Sequence, residues 1–166
     1  MERFCRGLVF RQMPDGSTWV SGTPDFSQRK FSKGQKNHQR RFKEAAAYAR
    51  DAAKTQPVYA ELAKGTVKNA YNIALSDWFN PPVVQRIERR AGKIRVEASD
   101  NVMVTRVRVT IRNEEGAIVE TGEAKPEDPR KSPSVAGWWE YAAQANGKVM
   151  AEAWDLPGNV SRLTEN

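Results

Sequence analysis

The feature that most constrains the fold is a helix-breaking segment near the middle of the chain, Asn80-Pro81-Pro82. Proline has no backbone N–H and its ring clashes with the preceding turn, so a helix that reaches this segment must end there. Across it the hydrophobic pattern changes from helical spacing to strand alternation. The sequence therefore predicts an α+β protein with two regions, a hairpin and helical region over residues 1–80 and a β region over residues 81–166.

Three helices are predicted before the break. Ser32, followed three residues later by Gln35, forms a capping-box pattern that begins the first helix. Pro57 ends that helix and suits the first turn of a short second helix, which Gly65 stops. Thr66 is predicted as the N-cap of the third helix. The apolar residues of this third helix recur at helical spacing and are Val67, Ala70, Tyr71, Ala74, Leu75, Trp78 and Phe79.

A β-hairpin is predicted ahead of the helices. Two β-rich runs, residues 7–13 and 17–21, flank Pro14-Asp15-Gly16. Proline presets φ in such a turn, and glycine takes its left-handed position. Because an isolated hairpin is only marginally stable in water, we expect this one to pack on the helices or on another chain.

Seven short strands are predicted after the break, because apolar and polar residues alternate there between turn residues. Such a series favours an antiparallel β-sandwich. The predicted ranges are residues 83–89, 93–99, 104–112, 117–123, 137–143, 148–155 and 160–164, with turns that include Asp100-Asn101.

Residues 83–164 resemble bacterial immunoglobulin-like repeat domains. In this chain the matching motifs are Asp100-Asn101-Val102 before alternating valines, a strand with Trp139 and Tyr141, and the run from Ala153 through Asp155 to Gly158-Asn159. The resemblance implies an immunoglobulin-like sandwich without the antibody cysteine pair. It also implies a spacer, adhesive or decoration module, since that is how members of this family mostly occur. Residues 1–80 carry no such resemblance.

Composition excludes several classes of protein. Cys5 is the only cysteine, so neither an intrachain disulfide nor a cysteine-based metal cage can form. The N-terminus lacks the apolar run of a signal peptide, and no run approaches the about 20 apolar residues of a membrane helix. We therefore expect no membrane insertion, and a protein that is cytoplasmic or is released by a non-classical route, as in a virion-like particle.

No catalytic pattern is found. His38 is the only histidine and has no nucleophile or metal-ligand partner at motif spacing. Many carboxylates of the β region fall on outward strand positions beside arginines, where cross-strand ion pairs explain them. We therefore predict a protein that is not an enzyme and that has no cofactor, metal or catalytic residue.

The positive charge of the chain is concentrated in one region. Its formal net charge is +7, and the whole excess lies in residues 1–80. This asymmetry predicts an anionic partner, either nucleic acid or an acidic subunit surface. Against nucleic acid, cations are unfavourable at a helix N-terminus. The candidate binding residues are Arg29, Lys30, Lys33, Lys36, Arg40, Arg41 and Lys43.

Strand alternation also predicts an outward aromatic patch. Trp138 falls on the face opposite Trp139, and the sixth predicted strand turns Met150 and Trp154 outward. This surface is either covered, by the helix end that carries Trp78 and Phe79, or free to stack on a glycan. We favour coverage, so the candidate patch comprises Trp78, Phe79, Trp138, Met150 and Trp154.

Together these features predict a non-enzymatic structural subunit that self-assembles or decorates a larger particle, such as a filament, a phage-like particle or a cell-surface assembly. The expected partner is a second copy of the chain or a larger protein assembly. Two alternatives stay open at this point: nucleic-acid binding by the basic segment, and glycan binding by the outward tryptophans.

Overall fold

The computed structural model describes residues 7–23, 28–90, 92–128 and 134–165, apart from the side chain of residue 134. The chain divides into two compact units, Met1–Gln39 and Arg40–Asn166. The boundary predicted between residues 80 and 81 therefore lies inside the second unit. Cys5, and residues 129–133 of the loop predicted to be irregular, fall outside the described residues.

The predicted hairpin is confirmed within the first unit. Strands β1 (Leu8–Gln12) and β2 (Thr18–Gly22) pair antiparallel. Gly16 has a φ of +84°, the left-handed conformation that the turn requires of it. All residues of both strands are exposed.

The three predicted helices are α1 (Lys33–Thr55), α2 (Pro57–Ala63) and α3 (Ala70–Phe79). The capping box at the start of α1 is confirmed, since the Ser32 N–H donates to Gln35 Oε1 at 2.9 Å and the Gln35 N–H donates to Ser32 Oγ at 3.2 Å. None of the helices in the described part of the chain is both long and apolar enough to cross a membrane.

The predicted N-cap of α3 was wrong. Asn69 caps this helix, because its Oδ1 accepts the Asn72 N–H at 2.8 Å. Thr66 is occupied in the preceding turn, where its hydroxyl oxygen accepts the Lys68 N–H. Val67 consequently lies outside the helix and is fully exposed.

Seven strands follow, all paired antiparallel, and they form one continuous sheet in the order β3-β4-β7-β6-β5-β8-β9. Their number agrees with the prediction. Their bounds are β3 Val83–Arg90, β4 Lys93–Val104, β5 Arg106–Arg112, β6 Ile118–Pro126, β7 Ser134–Ala142, β8 Lys148–Trp154 and β9 Val160–Thr164.

Strand β6 makes the sheet continuous. It pairs with β5 up to Ala124 and then with β7 at Lys125 and Pro126. The two end strands also approach each other, because Arg89 Nε of β3 lies 3.2 Å from Glu165 Oε2 just after β9. The result is a large antiparallel sheet that nearly closes into a barrel, and the predicted division into the two layers of an immunoglobulin-like sandwich is not confirmed.

The predicted turn at Asp100-Asn101 was wrong, because β4 continues through these residues to Val104. The strand is irregular here: its register with β7 shifts between Ser99 and Val104. Asp100 supports this irregularity, since its Oδ2 accepts the backbone N–H groups of Val102 and Met103.

The burial patterns of β4, β5 and β8 follow the strand alternation that the sequence predicts. Inward valine, isoleucine and alanine side chains alternate with outward polar ones, and each fully buried valine or isoleucine stabilises the fold by roughly 1.5–3 kcal/mol. Cross-strand ion pairs such as Arg86–Glu97 and Arg162–Glu152 cover the outer face. The fully buried inward residues include Val96, Ala98, Val104, Val107, Val109, Ile111, Val149, Ala151 and Ala153.

A second core attaches the helices to the sheet within the unit Arg40–Asn166. Ala52 of α1, Tyr59 of α2 and Ala74 of α3 are buried against Val102 of β4, and the partly buried Leu156 packs on the same cluster. Pro82 of the helix-breaking segment is fully buried as well. The segment therefore lies inside this unit and connects two of its packed layers.

Candidate functional site

All seven cations of the basic segment are exposed. Arg29 lies over the Phe31 ring at 5.0 Å, within the unit Met1–Gln39. In the second unit, Arg41 lies 5.7 Å from the rings of both Trp78 and Phe79. The side chains of this segment are thus exposed, and an anionic partner for them stays a prediction.

The aromatic end of α3 is tied to the sheet through its backbone. The Trp78 and Phe79 rings meet edge to face at 4.9 Å, and Phe79 stacks on Phe42 of α1 at 6.5 Å. Asn159, in the turn between β8 and β9, donates its amide N–H to the Trp78 carbonyl at 3.3 Å. This hydrogen bond links the C-terminal end of α3 to the turn between β8 and β9.

The outward tryptophans lie beneath arginines. Trp138 has Arg95 at 4.4 Å and Arg86 at 5.0 Å from its ring centre, whereas Trp154 has Arg106 at 4.1 Å. Met150 is half-buried on the outward side of β8, as predicted. The described ring contacts of Trp78 and Phe79 include neither tryptophan, so direct docking of these rings on each other stays a prediction.

Sequence reasoning missed a cluster of three buried carboxyl groups. Asp77 of α3, Asp100 of β4 and Asp155 just after β8 are 0%, 7% and 4% exposed. Each contributes one carboxylate oxygen to a group of three oxygens that lie within 4.8 Å of one another. A helix, a strand and a turn therefore converge on one acidic site.

The carboxyl groups of Asp77 and Asp155 both accept hydrogen bonds from neighbouring side chains or backbone. The Tyr59 hydroxyl donates to Asp77 Oδ2 at 2.6 Å and lies 2.6 Å from the Tyr48 hydroxyl. Asp155 Oδ1 accepts the Asn159 backbone N–H at 2.6 Å, and its Oδ2 accepts the Asn159 side-chain amide at 2.7 Å. These bonds fix both carboxyl groups in place.

Asp100 differs from the other two. Its Oδ2 takes the N–H groups of Val102 and Met103 at 2.8 and 2.7 Å. Its Oδ1 is buried and has no hydrogen-bond partner among the residues that the structure describes. This is uncommon, since buried polar atoms are nearly always paired.

The electrostatics of the cluster are unfavourable without compensation. Burial raises the pKa of Asp77 to about 7, although the Tyr59 hydroxyl opposes this shift. The charges of Asp100 and Asp155, and a hydrogen bond that protonated Asp77 can donate to Asp100, raise it further. Burial also raises the pKa of Asp155. None of the ion pairs in the described part of the chain includes any of the three. Close carboxylates need a proton or a cation between them.

A signal for this cluster was present in the sequence. Asp77 follows Ala70 by seven residues and Ala74 by three, so the helical period puts its carboxyl group on the buried face of α3. Asp100 and Asp155 both belong to the motifs of the immunoglobulin-like resemblance. The sequence does not indicate that the three aspartates lie close together in the fold.

Comparison with known proteins gives no family. No protein-family model matches the chain, and no curated protein matches it. Similar solved structures include a hypothetical protein from Pyrococcus horikoshii, with 16% identity over 54% of this chain and 92% of that chain and a TM-score of 0.32. A superoxide reductase from Nanoarchaeum equitans has 13% identity over 51% and 88%, with a TM-score of 0.30. TM-scores this low carry no argument about fold or function.

Proposed function

We propose that the protein is a non-enzymatic structural subunit that self-assembles by pairing the hairpin of one copy with that of another. The observation that carries this proposal is the exposure of the hairpin. Phe10 is 63% exposed and Trp19 is 70% exposed. Exposed aromatic side chains do not stabilise a monomer, whereas an assembly that covers them removes their apolar surface from water.

The geometry of the hairpin suits addition of strands. Register places Leu8, Phe10 and Val20 on one face, and Val9 and Trp19 on the other. Both faces are therefore apolar, and each strand has one edge without a partner in the hairpin. Such an edge is a template for pairing with another chain.

Charge favours a second copy as the occupant. Residues 8–22 hold one cation, Arg11, and one anion, Asp15, so this segment is neutral within a strongly basic region. Two hairpins can therefore approach without local repulsion. Low net charge and high β-propensity are also the features that promote strand association.

The strand order of the large sheet supports an immunoglobulin-like domain as the body of this subunit. If β3 to β9 correspond to strands A to G, then β3-β4-β7-β6 reproduces the order A-B-E-D and β5-β8-β9 the order C-F-G. In our proposal β6 is shared by the two layers. Such domains suit a structural subunit, since they serve as spacers and decoration modules.

Size-exclusion chromatography with light scattering tests the assembly. We expect the wild type to form oligomers, and the double variant Phe10→Ser, Trp19→Ser to be monomeric with an unchanged Tm, because both side chains are already exposed. Val67→Ser is the matched control, since it removes an exposed apolar side chain outside the hairpin. A wild type that stays monomeric at high concentration and low salt would overturn the proposal.

Nucleic-acid binding is the second candidate, and the exposure of all seven basic residues favours it. Replacing Arg40 and Arg41 by alanine should weaken binding and lower the slope of log K against log salt by about 1.5. The Phe10→Ser, Trp19→Ser variant should bind as the wild type does. Affinity that does not depend on salt would end this candidate. The outward tryptophans do not favour glycan binding, because arginines lie over their rings.

A further inference from the structure

We propose that Asp77, Asp100 and Asp155 form a binding site for a divalent cation with a preference for oxygen ligands, and that Ca²⁺ fits it best. This inference stands apart from the assembly proposal, because it concerns buried residues of the unit Arg40–Asn166 and no residue of the hairpin. It explains why three carboxyl groups lie together in the interior of a unit whose other described carboxylates are largely paired with arginine or lysine on the surface.

The first argument is the ligand type and spacing. All three side chains offer oxygen, which suits Ca²⁺ or Mg²⁺ and not Zn²⁺, a metal that is usually held by cysteine and histidine. The three oxygens lie within 4.8 Å of one another. Two oxygens that bind one Ca²⁺ ion at about 2.4 Å are at most about 4.8 Å apart, so the three oxygens are close enough to bind one ion. Mg²⁺ requires shorter bonds and retains several waters, which a buried site accommodates less well.

The second argument is the unpaired oxygen of Asp100. This residue is more than nine-tenths buried, and two backbone N–H groups already occupy its Oδ2. Its Oδ1 is the atom left for the cluster, and among the described residues it has no hydrogen-bond partner while Asp77 is ionised, since only a protonated Asp77 could donate to Asp100. A buried carboxylate oxygen without a donor is costly, so the fold leaves a coordination position that a cation would fill.

Asn101 offers a fourth ligand beside the three carboxyl groups. One terminal atom of its amide lies 3.2 Å from Asp77 Oδ1 and 3.3 Å from the Asn80 carbonyl oxygen. With nitrogen in this position the amide donates to both oxygens. With oxygen in this position, the Asn101 amide oxygen, the Asn80 carbonyl and the Asp77 carboxylate lie close together. The amide can thus satisfy the site without a cation and turn its oxygen toward one that binds.

The location of the site predicts what the cation does. Asp77 belongs to α3, Asp100 to β4 and Asp155 to the turn after β8, so a bound ion links the helical layer to the sheet. The unfolded chain has no such site, so binding is coupled to folding and raises the Tm.

Thermal unfolding and calorimetry of the full chain test the proposal. After treatment with EDTA, addition of CaCl₂ at 100 times its Kd should raise the Tm by about 5–10 °C. Isothermal titration with CaCl₂ should give one site per chain, and MgCl₂ should bind more weakly. Tb³⁺ should occupy the same site and luminesce on excitation of Tyr59, whose hydroxyl contacts Asp77.

Variants locate the site. Asp100→Asn keeps an oxygen for the backbone N–H groups but removes the charge, and should abolish the Ca²⁺ response. Asp51→Asn, at an exposed position of α1, is the matched control and should leave the response unchanged. If Asp100→Asn does not fold, wild-type titration still decides. Absence of binding by both Ca²⁺ and Mg²⁺ at millimolar concentration, or Ca²⁺ binding that survives Asp100→Asn, would overturn the proposal.

Discussion

The hairpin and the large sheet are built from the same kinds of residues, yet they differ in burial. In β5 the inward side chains Val107, Val109 and Ile111 are completely buried, whereas all five residues of β1 are exposed. Strand β5 alternates apolar and polar residues, whereas β1 begins with three consecutive apolar residues, Leu8 to Phe10. The sequence pattern of a strand thus indicates which of its side chains share a face. It does not show whether another layer of the protein covers that face. In the hairpin both faces are exposed.

The largest expected difference between the two regions concerns tryptophan. Trp139 is 5% exposed in the sheet core, so Trp139→Ala should lower the free energy of unfolding by about 3–5 kcal/mol. Trp19→Ala should change it by less than about 0.5 kcal/mol, because Trp19 is already in water. Urea unfolding followed by circular dichroism measures both. Comparable losses from the two variants would contradict the comparison.

Glycine substitutions test the same comparison of the sheet with the hairpin, and their expected effect on the free energy of unfolding is smaller. A Cβ at Gly122 of β6 would lie 2.5 Å from the Tyr141 ring, so Gly122→Ala should cost about 1–3 kcal/mol as the ring is displaced. At Gly22 of β2 the nearest atom is 4.0 Å away, the Gly7 carbonyl oxygen, and Gly22→Ala should be almost neutral. The same urea experiment decides. A neutral Gly122→Ala would show that the sheet is packed less closely than described.

The smallest expected effect is on the acid side of the pH profile. A hydrogen bond from the Tyr141 hydroxyl, with the Ala145 and Gln144 N–H groups, lowers the pKa of Glu120 below its usual 4.5. A lowered pKa stabilises the folded state above the usual pKa, and this contribution is lost as the pH falls through the folded value. Glu120→Gln should therefore reduce the decrease in Tm below about pH 4.5.

Asp15 is the hairpin's counterpart to Glu120. The Ser17 hydroxyl and N–H lower the pKa of Asp15, but these bonds stay within its own turn. Asp15 belongs to the separate unit Met1–Gln39, so Asp15→Asn should leave the pH dependence of the Tm of the sheet unchanged. If Asp15→Asn altered the profile as much as Glu120→Gln, the hairpin would have to unfold together with the sheet.

Features that depend on local chemistry were predictable from the sequence. The capping box at Ser32, the proline start of α2 and the inward residues of β4, β5 and β8 follow from neighbours a few positions apart. The position of the α3 N-cap was not, because Thr66 and Asn69 are both good caps and lie only three residues apart. Local patterns compete in this way wherever two signals lie within one turn.

Features that depend on distant partners could not be predicted. The sharing of β6 between β5 and β7 rests on pairings such as Pro126 with Trp139. The acidic cluster joins Asp77 of a helix, Asp100 of a strand and Asp155 of a turn, and each of them alone is an ordinary residue of its element. Periodicity places such side chains on a face, but only the assembled fold brings the faces together.

The hydrogen bond from Asn159 to the Trp78 carbonyl has a consequence for the order of folding. It joins residues 81 positions apart in the chain. Helices form from local contacts within microseconds, whereas a contact of this separation pays a large loop-closure entropy and awaits the strands between its ends. We therefore expect α3 to form early and to be anchored late, so that loss of the Asn159 side chain accelerates unfolding and leaves the folding rate nearly unchanged.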